Sequence, residues 1–581
     1  MCGIHVLLGA CSRNKNDDDD DDDDDTNDTE DNMNYFIKRR GPDSHKTITT
    51  MTPIGPLTVT ASVLHLRGKT CTQQPVKMTA TKAIMTGVSQ CPYLCWNGEL
   101  YHDSYNEILT ETENETCSDT LLVASRIERA LFQPQQQQQQ QHHSIEQQDT
   151  EQKEQDKALL HVLTTLNNAE YSMVVTTPNT LYYARDPFGR RSLVSLTTQT
   201  TSKSTSSSTT FQLSSVATSK DWTELTPSIL HCYSLHTGTI RQYPIVLPTL
   251  QIPVPIAMTL VPCPFSSTSS SMWQASLQLE SLLQQAVQRR CTMYNKDHSI
   301  GILFSGGLDS VVLASMACRA THQRRIELWN VAFDPIHSKD RIAALASYQE
   351  LKHLYPHSDI QLHCIDKTWH DIVNVESHVK VLLYPKDTVM DMNIGCAIWF
   401  AAQGNVSGHG RVLLLGMGAD EQMGGYTRHR TAASRGMLRH ELTRDTQRLW
   451  ERNLGRDDRL VSDHGKEARF PYLDEAVVQF LKALPEDDLC DFSLPPGQGD
   501  KRILRLVAQR HGLVACTGLI KRAIQFGSRI SHVSDAQRFG SRRQAKGEKR
   551  FDNGNNNHKK NASGNRVVVH GDGTVVVHGK K

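Results

Sequence analysis

Cys2 follows the initiator methionine directly. Once Met1 is removed, one residue carries both a thiol and a free α-amine. An amine with a pKa of roughly 7.7 to 8.0 can take the proton of the adjacent nucleophile, as in enzymes that use their first residue for acyl chemistry. A second chemical feature is Ser305-Gly306-Gly307-Leu308-Asp309-Ser310, between the apolar run 299–304 and a helical pattern over 311–321. A glycine turn in that context can present backbone N–H groups and a helix N-terminus to phosphate. A third glycine-rich segment, Leu415-Gly416-Met417-Gly418-Ala419-Asp420-Glu421-Gln422, follows the apolar run 412–415. Gly68-Lys69-Thr70 imitates the end of the other common phosphate loop, but Val63 stands where its leading glycine is required.

These residues need two kinds of scaffold. Residues 2–240 alternate short β-branched and aromatic runs with turn residues, as in 171–175 and 180–183, and read as a sheet-rich domain. Three inserts near 14–31, 133–155 and 197–210 (Asp-rich, Gln-rich and Ser/Thr-rich) can bury little apolar surface and are expected to be disordered. Residues 241–271 alternate prolines with apolar residues and read as an extended linker. From 272 to 530, helix (272–294), strand (299–304), helix (311–321), strand (328–333), helix (343–354) and strand (360–365) follow one another, which predicts an α/β parallel sheet. Residues 531–581 read as a basic low-complexity tail, within which VVVHG occurs at 567–571 and 575–579. A hairpin there would be marginal alone, and no function attaches to it.

After Cys2 come, in order, Arg39-Arg40-Gly41-Pro42-Asp43, Leu64-His65-Leu66-Arg67-Gly68, Trp96-Asn97-Gly98-Glu99-Leu100-Tyr101 and Ser118-Asp119-Thr120. Together they resemble the class II glutamine amidotransferase domain, which implies the α+β N-terminal nucleophile hydrolase sandwich (αββα). The resemblance implies Cys2 as nucleophile, with the Asn97 side-chain amide and the Gly98 backbone N–H as oxyanion donors. Loss of one such donor costs on the order of a hundredfold in rate. It further places Arg67 on the glutamine α-carboxylate, Asp119 on its α-ammonium, and Glu99 with Asn97 in the glutamine-binding set. Bidentate clamping of a carboxylate is a task that suits arginine better than lysine. Arg185 to Leu193 resembles the family's closing strand and turn, a structural element.

The loop at Ser305 resembles the pyrophosphate loop of N-type ATP pyrophosphatases. With Leu415 to Tyr426, Lys466 to Asp474 and Lys521 to Gly527, it makes residues 272–530 similar to the asparagine synthetase family, on a divergent eukaryotic branch. That resemblance implies ATP at Phe304, Ser305, Gly306, Gly307, Asp309, Ser310, Ala332, Leu415 and Gly416, and Mg2+ at Asp309 and Asp420. Two carboxylates plus phosphate oxygens suit an ion that keeps several waters. It also implies aspartate, or a related carboxylate, activated as an acyl-adenylate and attacked by ammonia from glutamine. Three positions depart from the family: Met417 replaces a glutamate, Ala523 a lysine facing the phosphates, and Leu415 a serine. Losing that cation is expected to slow activation unless Lys521 or Arg522 reaches inward. Two readings therefore stand: a glutamine-hydrolysing asparagine synthetase-like ligase, or a non-synthesising ATP-binding or scaffold homologue with at most glutaminase activity.

The 38% hydrophobic and 22% charged residues and the zero formal charge include nine consecutive aspartates, so neutrality reflects one insert. The remaining basic residues are spread out, which argues against a nucleic-acid surface. Fourteen cysteines without CxxC pairs suit a reducing compartment. No run approaches the roughly 20 apolar residues of a membrane span, so a cytoplasmic protein with small-molecule substrates is expected. Oligomeric state is left open.

Overall fold

A computed structural model describes residues 2–9, 25–78, 92–101, 118–132, 145–201, 207–248, 269–292, 298–321, 324–404, 410–539, 566–569 and 575–578. The first part comprises β1 (Gly3–Leu8), α1 (Asp25–Arg40), β2 (Ser44–Thr52), β3 (Gly55–Val63), β4 (Val76–Lys77), β5 (Tyr93–Leu100), α2 (Asp119–Phe132) and α3 (Ile145–Thr164). It continues with β6 (Ala169–Thr176), β7 (Thr180–Arg185), β8 (Val194–Thr201), β9 (Ser207–Ser214), β10 (Thr223–Glu224), β11 (Ile229–Ser234) and β12 (Ile240–Pro244). Among the described residues these strands form two six-stranded sheets, β10-β8-β9-β1-β3-β2 and β12-β11-β7-β6-β5-β4. Pairing is antiparallel throughout both.

The period of two along each strand sorts the layers. Ile4, Val6 and Leu8 of β1 pack against Cys95, Val174 and Tyr183 of the second sheet, so the two sheets lie face to face. Leu94, Trp96 and Met173 point the other way and pack on Ile127 of α2 and Leu163 of α3. Met33 and Ile37 of α1 cover the first sheet's outer side at Val194 and Trp222. The order is helix, sheet, sheet, helix. It brings Cys2, at the head of β1, against Asn97 in β5 of the facing sheet.

The second part holds α4 (Ser270–Thr292), β13 (Ile300–Leu303), α5 (Leu308–Ala320), β14 (Ile326–Ala332), α6 (Lys339–Leu354), β15 (Ile360–Asp366), α7 (Trp369–Leu383), α8 (Val389–Gln403), β16 (Val412–Leu414) and α9 (Ala419–Met423). After these come α10 (Leu438–Gln447), a π-helical turn (Trp450–Leu454), α11 (Gly455–Ser462), β17 (Glu467–Arg469), α12 (Glu475–Ala483), α13 (Arg502–Arg510) and α14 (Ile530–Phe539). The sheet runs β15-β14-β13-β16-β17 and every pairing is parallel. All of β14 is buried, as both faces of a helix-covered parallel sheet require. Phe36, Leu64 and Leu66 of the first part belong to the same apolar core as this sheet, so the two parts share packed surface.

Several expectations of disorder fail. The insert placed at 14–31 ends inside α1, where Met33, Phe36 and Ile37 form a buried helical face; residues 10–24 lie outside the described residues. The insert placed at 133–155 overlaps α3 from Ile145. Its polar residues there extend a helix whose far half is anchored by Asp156, Leu159 and Leu163; residues 133–144 lie outside the described residues. The Ser/Thr-rich stretch forms most of the β8–β9 ladder, with Thr198 opposite Thr210. Threonine is β-branched, and its strand propensity outweighs the polarity that suggested a loop. The linker begins later than expected because Tyr243 pairs with Leu230; residues 249–268 lie outside the described residues. The tail too begins later: Ile530 and Ser534 of α14 are fully buried, and Arg538 pairs with Glu376 at 2.7 Å. The two VVVHG repeats pair as an antiparallel ribbon, Arg566–Val569 with Val575–His578.

Candidate active site

The first cluster lies where β1, β5 and α2 meet. The Cys2 backbone N–H donates to Asn97 Oδ1 at 2.8 Å. The Asn97 amide nitrogen is turned away, donating to Ser172 Oγ at 3.4 Å. Burial pushes the Cys2 thiol up to about 11, so sulfur needs a base beside it to ionise. Gly98 admits no side chain: an added Cβ would lie 2.5 Å from Glu170 O. Arg67 Nη1 donates to Leu100 O at 3.3 Å and stands 3.9 Å from Glu99 Oε1. Asp119 opens α2 and accepts the Thr120 N–H at 2.7 Å. Burial raises both carboxyls. Glu99, also facing the Asp119 charge, is pushed up to about 8; Asp119 is raised with Arg67 opposing. All the residues expected in this half thus come together around Cys2. The recess they enclose is narrow, about 30 Å³, so an amino-acid amide enters only if its walls part.

Sequence reasoning missed two members. Gln74 donates through Nε2 to Cys2 Sγ at 3.4 Å and to Trp96 O at 2.9 Å, and accepts the Trp96 N–H at 2.6 Å. No spacing signal marks it, because a lone glutamine in a loop looks like any other. Glu467, from β17 of the second part, also lines this recess. Burial works against its charge, but Arg191 and Arg469 outweigh it and hold the carboxylate down at about 2.

The second cluster lies at the carboxyl ends of β13, β14 and β16, where an open parallel sheet leaves its ligand crevice. Gly306 has φ +72°, and an added Cβ would lie 2.1 Å from Ala344 N. The turn therefore requires glycine on two counts. Gly307 caps the 13-residue α5, and Ser305 Oγ accepts its N–H at 3.2 Å. The loop opens onto a cavity of about 540 Å³ lined by Phe304, Ser305, Asp309, Ser310, Gly416 and Asp420. Ala332 and Leu415, also expected there, are fully buried in the core and contribute no side-chain wall. Met417 and Ala523 line the cavity with nothing ionisable.

Two lysines hold the acidic pair. Lys501 Nζ lies 2.6 Å from Asp309 Oδ1 and 2.8 Å from Asp420 Oδ1. Of the two residues that could replace the missing cation, Lys521 and Arg522, Lys521 reaches inward to Asp420 Oδ2. Despite burial, which raises it, Asp420 is held well below the usual carboxylate range by Lys501 and Lys521. Glu421 is raised by burial and by the Asp420 charge, and accepts the Tyr426 hydroxyl at 2.5 Å. Lys501 went unnoticed in the sequence because its helix starts at an unmarked left-handed residue, φ 49°.

The residues fit ATP: a glycine cradle, a helix N-terminus and a cavity of sufficient size for a nucleotide. For Mg2+ they supply two carboxylates. Among the described residues no cluster of three or more His, Cys, Asp or Glu could hold a metal, so phosphate oxygens and water would have to complete the shell. Lys521 is 30% exposed and Lys501 3% exposed, so Lys521 is the one of the two nearer to solvent. Gly306→Ala is expected to displace the loop and weaken ATP binding at least tenfold in a titration. Unchanged affinity would show that phosphate sits elsewhere.

The family model described as asparagine synthase matches residues 278–438 and 431–513. The chain is 42% identical over 262 residues to asparagine synthetase domain-containing protein CG17486 of Drosophila melanogaster, covering 40% of this chain and 46% of that one. It is 37% identical over 325 residues to asparagine synthetase domain-containing protein 1 of Mus musculus, covering 45% and 50%. These matches span about half the length of the relatives. The Bos taurus protein of the latter name aligns over 640 residues at 28% identity, covering 87% and 93%. No helix among the described residues is long and apolar enough to cross a membrane.

Proposed function

Because the chain belongs to the asparagine synthetase family, we propose that it is a glutamine-dependent amidotransferase built from an N-terminal nucleophile hydrolase sandwich and an ATP-pyrophosphatase domain. It hydrolyses glutamine at Cys2 and passes ammonia to an ATP-activated aspartate or related carboxylate. The observation that carries this reading is the 2.8 Å hydrogen bond from the Cys2 nitrogen to Asn97 Oδ1. After Met1 is removed, that same oxygen would hold the free amine beside the sulfur. The amine takes the thiol proton, and sulfur attacks the amide carbon. The Gly98 N–H and the Asn97 amide, once released from Ser172, stabilise the oxyanion; the amine's proton leaves with ammonia; water then hydrolyses the thioester to glutamate.

In the second domain the glycine loop would seat the phosphates, and Asp309 with Asp420 would hold Mg2+, whose role is to neutralise phosphate charge. Lys501 and Lys521 place positive charge beside these carboxylates, at the end of the cavity that lost the cation at Ala523. A second reading rests on Met417 and Ala523: a homologue that binds ATP but forms no product beyond glutamate. Incubation with glutamine, aspartate, Mg2+ and ATP separates the two. Glutamate, AMP, pyrophosphate and asparagine together support the synthetase; glutamate without AMP leaves a glutaminase; none of the four favours a scaffold.

Glu99 gives a proton-linked test. Pushed up to about 8 by burial and Asp119, it is protonated at pH 7. An entering α-ammonium lowers it, so glutamine binding to a Cys2→Ala protein is expected to release up to one proton at pH 7, and progressively less above pH 8. Calorimetry in buffers of different ionisation enthalpy reads that release; a buffer-independent enthalpy at pH 7 would contradict the assignment.

A further inference from the structure

The segment between β3 and β4 sets Gln74 against the Cys2 sulfur. Gln74 is 1% exposed, and its amide is clipped to the Trp96 backbone: Oε1 accepts the Trp96 N–H at 2.6 Å, and Nε2 donates to Trp96 O at 2.9 Å. The clip fixes which end of the amide is which. Turned over, it would set oxygen against the Trp96 carbonyl and nitrogen against the Trp96 N–H, two repulsions in a dry site. Holding the strand uses one of the two N–H groups. The other has two acceptors in reach, Cys2 Sγ and Thr120 Oγ1, each at 3.4 Å. The Thr120 hydroxyl in turn reaches Asp119 Oδ1 at 3.5 Å.

The charges around the sulfur are divided. Asp119 and Glu467 oppose a thiolate, whereas the chain's amino group and a backbone hydrogen bond from Leu64 favour it. His65, Arg67 and Glu99 line the same recess, and Arg40 Nε donates to Cys2 O at 3.4 Å. Gln74 carries no charge, and an N–H···S bond strengthens as thiol becomes thiolate. We propose that Gln74 is a catalytic residue of glutamine hydrolysis, which orients the Cys2 sulfur and stabilises its thiolate through the N–H that the Trp96 clip leaves free. The inference rests on the reading of Cys2 as nucleophile and adds a role which that reading does not assign. The thiol proton passes to the freed α-amine; Gln74 gives up none as the sulfur closes on the amide carbon. Thr120 competes for the same N–H and tempers its effect.

Alkylation of Cys2 by iodoacetamide at pH 8, followed on the amino-terminal peptide by mass spectrometry, probes the sulfur without glutamine turnover. Gln74→Met is expected to slow it about threefold: losing one hydrogen bond to a charged atom cuts the thiolate about tenfold, and the more basic thiolate regains part of that in nucleophilicity. Thr120→Val leaves the N–H wholly to sulfur. It should speed alkylation about twofold in the unsubstituted chain and have no effect in Gln74→Met. A looser recess would act alike in both backgrounds. In glutamate release, Gln74→Met should lower kcat at least about threefold with KM within about twofold, because the proposed contact is with the sulfur. Alkylation unchanged by Gln74→Met, or a Thr120→Val effect that is absent or the same in both backgrounds, would overturn the proposal. Should Gln74→Met not fold, Thr120→Val decides alone: alkylation no faster than in the unsubstituted chain overturns it. No glutamate from the unsubstituted chain would remove the nucleophile reading, and the catalytic role of Gln74 with it, whatever the alkylation rates.

Discussion

Cys2→Ala is expected to lower glutamine hydrolysis by on the order of 10⁴-fold or more while leaving ATP binding unchanged. In the proposed reaction the sulfur forms the bond on which hydrolysis depends, and no neighbouring group among the described residues can replace it. Gln74 lies at 3.4 Å but offers only an amide, and Cys95, also buried, has its thiol raised by burial beyond use. The same loss is expected when Met1 is retained, since the base is then an acylated nitrogen. Mass spectrometry of the purified chain, combined with glutamate release measured with and without the substitution, checks both. Equal glutamate release by the two proteins would remove Cys2 from the chemistry. Ammonia in place of glutamine is expected to bypass the substitution if the second domain is a synthetase.

Arg191→Met is expected to cost about 3 to 5 kcal/mol of stability. Arg191 is fully buried at the junction of the two domains. It faces Glu170 at 3.1 Å and Glu467 at 3.5 Å, and donates to Ala468 O at 2.6 Å. Methionine fills much of the space but leaves those carboxylates in a dry junction with less positive charge. Denaturant unfolding measures the loss; a change below about 1 kcal/mol would show that the network compensates. The pH sign follows from Glu467. Its folded value of about 2 lies below the ordinary 4.5, so its contribution is present above pH 4.5 and lost as pH falls toward 2. In Arg191→Met that acid-sensitive component is expected to shrink. Because Glu467 also lines the Cys2 recess, glutamine hydrolysis should fall in the same variant.

Arg191 also shows where sequence reading stops. The segment from Arg185 to Leu193 was legible as structural, and its charges had no evident hydrolytic part. That they bind one domain to the other emerges only when Asp458, Glu467 and Ala468, more than 260 positions away, come into contact. The Ser/Thr-rich hairpin and the helix at Ile530 were misread for a related reason. Composition reports how much apolar surface a segment can bury alone, not what a neighbour provides. Thr198 pairs with Thr210 across a ladder, and Ile530 enters a core built by other elements.

The sequence by itself determined the chemistry on offer: a thiol at the second residue, a glycine turn between strand and helix, and carboxylates at Asp309 and Asp420. Those signals are local, because turn geometry, helix starts and strand periodicity depend on near neighbours in the chain. Only the tertiary structure decided which charges meet. It set Lys501 between the two carboxylates, put Gln74 on the sulfur, and brought Glu467 of one domain into the recess of the other. Charge pairing in a dry interior depends on burial and distance, and both are fixed by packing between elements far apart in sequence.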